Sequence, residues 1–210
     1  MKNVPFNRRS FAIQLACAAA MAQGISAVAQ TAVRQTAAVK APAELGAFGS
    51  GTPWQMQGSG ALRFFGFKAY DANLWTASPT QNTANPHTAK SLYALEIVYN
   101  TGIKAEEIVN VSLIEMARLR KLTDAQLKAW TAEMQRTFPA VVKGDRLTGL
   151  HVPNGGTRFF FNSRLISEIS DPGFGDAFFA IWLDEGTKRP DLRKQLLGQG
   201  SATSAVPSNN

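Results

Sequence analysis

Arg63 interrupts a run of large apolar side chains, Leu62-Arg63-Phe64-Phe65-Gly66-Phe67. A guanidinium buried there without a partner costs several kcal/mol. It must therefore face water, pair with a carboxylate of the chain, or meet an anionic ligand. Asp71 and Glu115 are the internal candidates. From outside the chain, a ligand carboxylate matches the planar guanidinium fork better than it matches an ammonium. Tyr70 can hydrogen-bond a ligand head group or fill core with its hydroxyl at the edge. Strict alternation along a strand puts Arg63 and Tyr70 on opposite faces, whereas an irregularity at Gly66 brings them together. Ser112 and Glu115, three residues apart, share one face of a predicted helix. Asp71 and Glu115 are possible general bases as well as ion-pair partners.

Other residue types close off whole chemistries. The two histidines, His87 in a polar loop and His151 in a predicted strand, have no acid or imidazole at ligand spacing, so no metal site is expected. No nucleophile-elbow sequence supports a Ser-His-Asp triad. Gly155-Gly156 joins two strands rather than opening a helix, which makes it a turn and not a phosphate loop. The single cysteine, Cys17, lies in the N-terminal apolar run, leaving the remainder without disulfides, thiolate metal sites or iron–sulfur clusters. No cofactor is expected.

Lys2, Arg8 and Arg9 precede a short apolar stretch, Phe11 to Met21, and Ala27-Val28-Ala29 is a small-residue cleavage pattern. Residues 1–29 therefore read as a signal peptide, and the mature chain as periplasmic or secreted. Asn7-Arg8-Arg9-Ser10-Phe11 also fits a twin-arginine signal, so the export route stays open between the two. Removing three positive charges and no acids takes the formal net charge from +7 to +4. The remaining Lys and Arg are scattered among acids, which argues against nucleic acid as a partner. No later apolar run reaches the ~20 residues of a membrane span.

Residues 30–53, rich in Ala, Thr, Gln, Gly and Pro, read as a flexible linker, and residues 199–210 as a disordered tail. Between them, residues 54–198 form the expected domain. Strands are predicted over Ala61 to Trp75, with a bulge or hairpin at Gly66, and over Leu92 to Tyr99, with a polar loop between them. Two helices follow, Lys104 to Arg120 and one started by the capping box of Thr123 and Gln126. Strands return at Arg146 to Val152, Thr157 to Asn162 and Leu165 to Ile169, as an antiparallel meander. Helices from Pro172, capped by Asp171, and from Pro190 close the chain. Strands and helices without a βαβ rhythm give an α+β class with a mostly antiparallel sheet.

Leu62 to Trp75, the segments Ser112-Leu113-Ile114-Glu115-Met116 and Phe138-Pro139-Ala140-Val141, then Lys143-Gly144-Asp145-Arg146, Phe159-Phe160-Phe161-Asn162 and Ile169-Ser170-Asp171-Pro172-Gly173-Phe174 occur in that order. With Phe178 to Leu183 they resemble the chalcone-isomerase-like family, in particular its exported bacterial branch, over about residues 55–198. The resemblance implies an open-faced β-sandwich, a curved antiparallel sheet covered by a helical layer. Enzymes of that family close a flavanone ring using an Arg, which Arg63 matches, and a Thr, Tyr and Asn. Tyr70 falls near the Thr, while Lys104 and Val111 stand where the Tyr and Asn are expected. Fatty-acid-binding members instead hold a carboxylate with the matching Arg and a Tyr, and this chain keeps both types.

The resulting expectation is a protein that binds a small amphipathic ligand, a fatty or aromatic acid, between sheet and helices. Arg63, Tyr70, Asp71, Ser112 and Glu115 are its candidate site residues. Two alternatives stand beside it. One is an intramolecular lyase or isomerase using Arg63 with Tyr70 or Glu115, and the other is an envelope protein whose aromatic surface docks a partner.

Overall fold

The computed structural model describes residues 39–64, 66–77, 85–88 and 91–199. The expected signal peptide, the first part of the expected linker and nearly all of the expected tail lie outside the described residues. Six strands form one sheet in sequence order: β1 (Gln55–Phe64), β2 (Phe67–Thr76), β3 (Tyr93–Tyr99), β4 (Arg146–Val152), β5 (Gly156–Phe161) and β6 (Arg164–Ile169). Every neighbouring pair is antiparallel, so the predicted meander extends across the whole sheet. The β1–β2 hairpin turns at Gly66, whose φ of +83° only glycine adopts readily. β1 starts at Gln55 rather than at Ala61, because Gly58 and Gly60 mask its strand character in the sequence.

Those two glycines have a tertiary purpose. The helices are α1 (Ala105–Leu119), α2 (Asp124–Thr137), α3 (Pro172–Leu183) and α4 (Pro190–Leu196). A Cβ on Gly58 would stand 2.1 Å from the Gln195 carbonyl oxygen, and one on Gly60 would stand 2.7 Å from Leu192 Cδ1. α4 can therefore lie directly on β1.

The helix starts follow local chemistry. Gln126 N–H donates to Thr123 Oγ1 over 3.2 Å, and the Gln126 side chain accepts from Thr123 N–H over 3.0 Å. Asp171 accepts from Gly173 N–H at 2.8 Å and from the Trp130 indole at 2.9 Å, which ties α2 to the start of α3.

All four helices contribute to one core. Tyr93, Leu95, Ile97 and Tyr99 alternate onto that side of β3 and meet Met116, Met134, Phe178 and Leu183. On the other face Trp75, Ala94, Leu150 and Phe160 form a smaller core with Leu45. This corrects the reading of residues 39–53 as linker. Ala43–Ala47 forms a short 3-10 helix, and the Trp54 indole donates to Leu45 O at 2.8 Å. The fully buried Leu45 covers apolar sheet surface that would otherwise face water. Among the described residues no helix is long and apolar enough to cross a membrane.

Candidate functional site

A cavity of about 390 Å³ lies between the sheet and helices α1 and α3. Its floor includes Leu95, Ile97 and Tyr99 of β3, and its roof includes Ile108 and Ser112 of α1 with Ile181 and Trp182 of α3. At the closed end Leu95 and Phe159 are 2% and 0% exposed, whereas the lining residues Phe64 and Val111 are 47% and 62% exposed. The cavity thus opens between the β1–β2 hairpin and the first half of α1. The exposed Glu107 sits on the same lip. An apolar chamber of this size, with a few polar groups, is the ordinary form of a small-molecule site.

The inner polar groups are hydroxyls. Tyr70 Oη accepts the Trp182 indole N–H over 2.9 Å, and among the described residues its own proton has no acceptor. Burial pushes the Tyr70 phenol up to about 12 against the opposing effects of that hydrogen bond and of the Arg189 charge. Tyr70 therefore remains a neutral donor at any physiological pH. Tyr99, edge-on to Tyr70 with ring centroids 6.2 Å apart, is also pushed up, by burial first and then by Tyr70. The buried Ser112 adds a third hydroxyl to the lining.

The structure separates the five residues singled out from the sequence. Tyr70 and Ser112 line the cavity; Arg63, Asp71 and Glu115 do not. Leu62 is paired with Tyr70 across the hairpin, so these two side chains share the cavity face and Arg63 projects to the exposed side. Along β1 the alternation holds, with Leu62 and Phe64 lining the cavity and Arg63 between them directed away. The irregularity beside Arg63 falls on β2, where the consecutive residues Ala69 and Tyr70 both line the cavity, and it does not bring Arg63 to the face of Tyr70. This corrects the expectation that Arg63 lies inside the pocket.

Asp71 is held by Lys68 Nζ at 2.7 Å and Asn100 Nδ2 at 3.0 Å. Partial burial opposes its charge, but these hydrogen bonds and the positive charges of Lys68 and Arg63 keep its carboxyl below the usual range. Glu115 binds Arg118 at 2.8 Å and Lys188 at 2.5 Å, pinning α1 to the segment before α4. It shares a helix face with Ser112, yet its carboxylate is spent on ion pairs.

Two groupings escaped the sequence reading. The Arg189 guanidinium lies 4.5 Å above the ring of Phe64 at the cavity lip. Elsewhere the two histidines meet around Tyr93: His87 Nδ1 lies 2.9 Å from Tyr93 Oη, and the His151 and Tyr93 rings are 4.9 Å apart. No local spacing signals either grouping. Only the Tyr93–His151 register and the docking of the His87 loop under α3, through Asn85 to Leu183 O at 2.9 Å, create the second. Among the described residues no group of three or more His, Cys, Asp or Glu side chains is placed to hold a metal.

Among known proteins, the chalcone isomerase-like family matches residues 33–198. An uncharacterized protein of Haemophilus influenzae is 29% identical over 147 residues, spanning 70% of this chain and 69% of the relative. The crystal structure of an Arabidopsis thaliana fatty-acid binding protein shares the fold. It has a TM-score of 0.55 and 10% identity, and the match covers 70% of this chain and 88% of that one. A match spanning both cores of the sheet, the cavity and all four helices places the protein: the chain belongs to the chalcone isomerase-like family.

Proposed function

We propose that this protein binds a small amphipathic acid, fatty or aromatic, without transforming it, and that it does so after export. The observation that carries the reading is the apolar cavity between sheet and helices, open at one lip. Each methylene of a ligand tail buried there contributes about 0.8 kcal/mol. The neutral Tyr70 hydroxyl has a free proton to donate to an acceptor. The fatty-acid binding protein of the same fold supports the ligand class, and the basic, apolar and small-residue pattern of residues 1–29 supports export.

Arg63, the stabiliser required by the ring-closing alternative, lies outside the cavity, and Glu115 is held by two cations. The phenol that remains, pushed up to about 12, is a poor proton-transfer group near neutrality. A purely structural or docking protein needs no open chamber behind its surface. Native mass spectrometry of protein purified from its own envelope tests the reading. A retained amphiphile, exchangeable with added dodecanoate, is expected. A protein that carries nothing and takes up no dodecanoate rules the reading out.

A further inference from the structure

We infer that Arg189, at the start of α4, is the cation that anchors the acid head group at the lip of the cavity. This rests on the binding reading above and assigns the polar end of the ligand.

Several other cations around this end of the molecule are committed or directed elsewhere. Lys68 is taken by Asp71, and Arg118 and Lys188 are both taken by Glu115. Arg120 bridges Asp176 and Asp184, while Arg63 projects from the side of the hairpin away from the cavity. Among the described residues no carboxylate lies within ion-pair distance of Arg189. That includes Glu107, the acid on the same lip.

The fold positions Arg189 from both ends. At its root, Arg189 N–H donates to Thr187 Oγ1 over 3.2 Å, and Thr187 Oγ1 donates to Ile181 O over 2.7 Å. Ile181 is a wall of the cavity. At its tip, the guanidinium carbon lies 4.5 Å from the centroid of Phe64, another lining residue. Stacking uses the face of the guanidinium and leaves its in-plane N–H groups free for a bidentate carboxylate. The absence of side chains at Gly58 and Gly60 is what lets α4 lie close enough to β1 for this to happen. A ligand carboxylate on Arg189 would leave the tail to run past Phe64 toward the closed end at Phe159.

The test is isothermal titration of the wild-type protein, R189A, R189K and R63A with dodecanoate and with dodecanol, at low and high salt. R189A should weaken dodecanoate binding about 10- to 100-fold, the range expected for charge-assisted hydrogen bonds, and leave dodecanol nearly unchanged. R189K should lose less than R189A because it restores charge without the fork. High salt should weaken dodecanoate alone in the wild-type protein. R63A should match the wild type for both ligands. Binding of both amphiphiles that is indifferent to R189A, or an acid-selective loss in R63A, overturns the anchor and leaves the binding reading intact. Uptake of neither amphiphile by the wild-type protein overturns both.

Discussion

The Trp182 indole donates to the Tyr70 hydroxyl across 2.9 Å and so joins α3 to β2 over the cavity. Tyr70→Phe removes the acceptor and leaves the partly buried indole N–H unpaired. Such a change costs about 1–3 kcal/mol. The urea midpoint should fall while the slope of the unfolding transition stays unchanged. Trp182→Phe should cost a similar amount through the same bond, beyond its packing loss. The double variant should then be less destabilised than the sum of the two, by about 0.5–1.5 kcal/mol. Strict additivity would show that the bond carries no stability.

All three tyrosines of the chain, Tyr70, Tyr93 and Tyr99, are pushed up, chiefly by burial. An unfolded phenol loses its proton near 10, whereas folded Tyr70 keeps it to about 12. Stability conferred by the protonated phenols is therefore complete below 10 and declines as pH rises through that interval. Spectrophotometric titration should show almost no phenolate absorbance at pH 10. At higher pH the absorbance should rise together with the loss of far-ultraviolet dichroism. A gradual rise centred at 10 in protein that is still folded would contradict the buried placement of these rings.

The expectations that held rest on short-range chemistry. The Thr123–Gln126 box, the Asp171-Pro172 helix start and the alternation from Tyr93 to Tyr99 are each decided by a few neighbouring residues. The strand at Gln55 and the helical turn around Leu45 were illegible, because their reasons lie in distant partners, α4 for Gly58 and the outer sheet face for Leu45. The site divides in the same way. Tyr70 and Ser112 are readable as polar groups in apolar elements, and both line the cavity. The outward direction of Arg63 follows from the pairing of Leu62 with Tyr70, and the position of Arg189 follows from how α4 docks. Neither relationship is written in local spacing.

His151 is pulled down to about 4 from an ordinary 6.5, first by burial and then by the charge of His87, with Asp176 opposing both. His87 is also lowered, by burial and by Arg120, against Asp176 and Asp184. Above 6.5 both folded and unfolded states carry a neutral His151, and the group adds no pH dependence. Below 6.5 the unfolded chain takes up a proton that the fold refuses, so stability falls until about 4. The carboxyls of Asp71, Glu115 and Asp184, all held low, add their own losses at more acid pH. Melting temperature measured across this interval should decline in the wild-type protein and decline less in His151→Phe, whose ring retains the contacts to Tyr93 and Phe179. Equal slopes would mean that His151 titrates normally.

Ser112 supplies the most direct test of where a ligand tail lies. It is buried on the cavity side of α1, is not paired to any described residue, and faces apolar neighbours. Ser112→Phe directs a ring into the chamber that a tail would occupy. Filling a cavity commonly stabilises a fold by about 0.5–2 kcal/mol. Overpacking costs about 1–3 kcal/mol, but the open lip gives the new ring room to settle. The melting temperature should therefore hold or rise in the ligand-free protein. Binding of dodecanoate and dodecanol should both fall at least about tenfold, because each methylene displaced forfeits about 0.8 kcal/mol of burial. That joint loss differs from the acid-selective loss expected of R189A, so the two variants separate tail from head group. Undiminished binding of both ligands to a folded Ser112→Phe protein would place the amphiphile outside the sheet–helix cavity altogether.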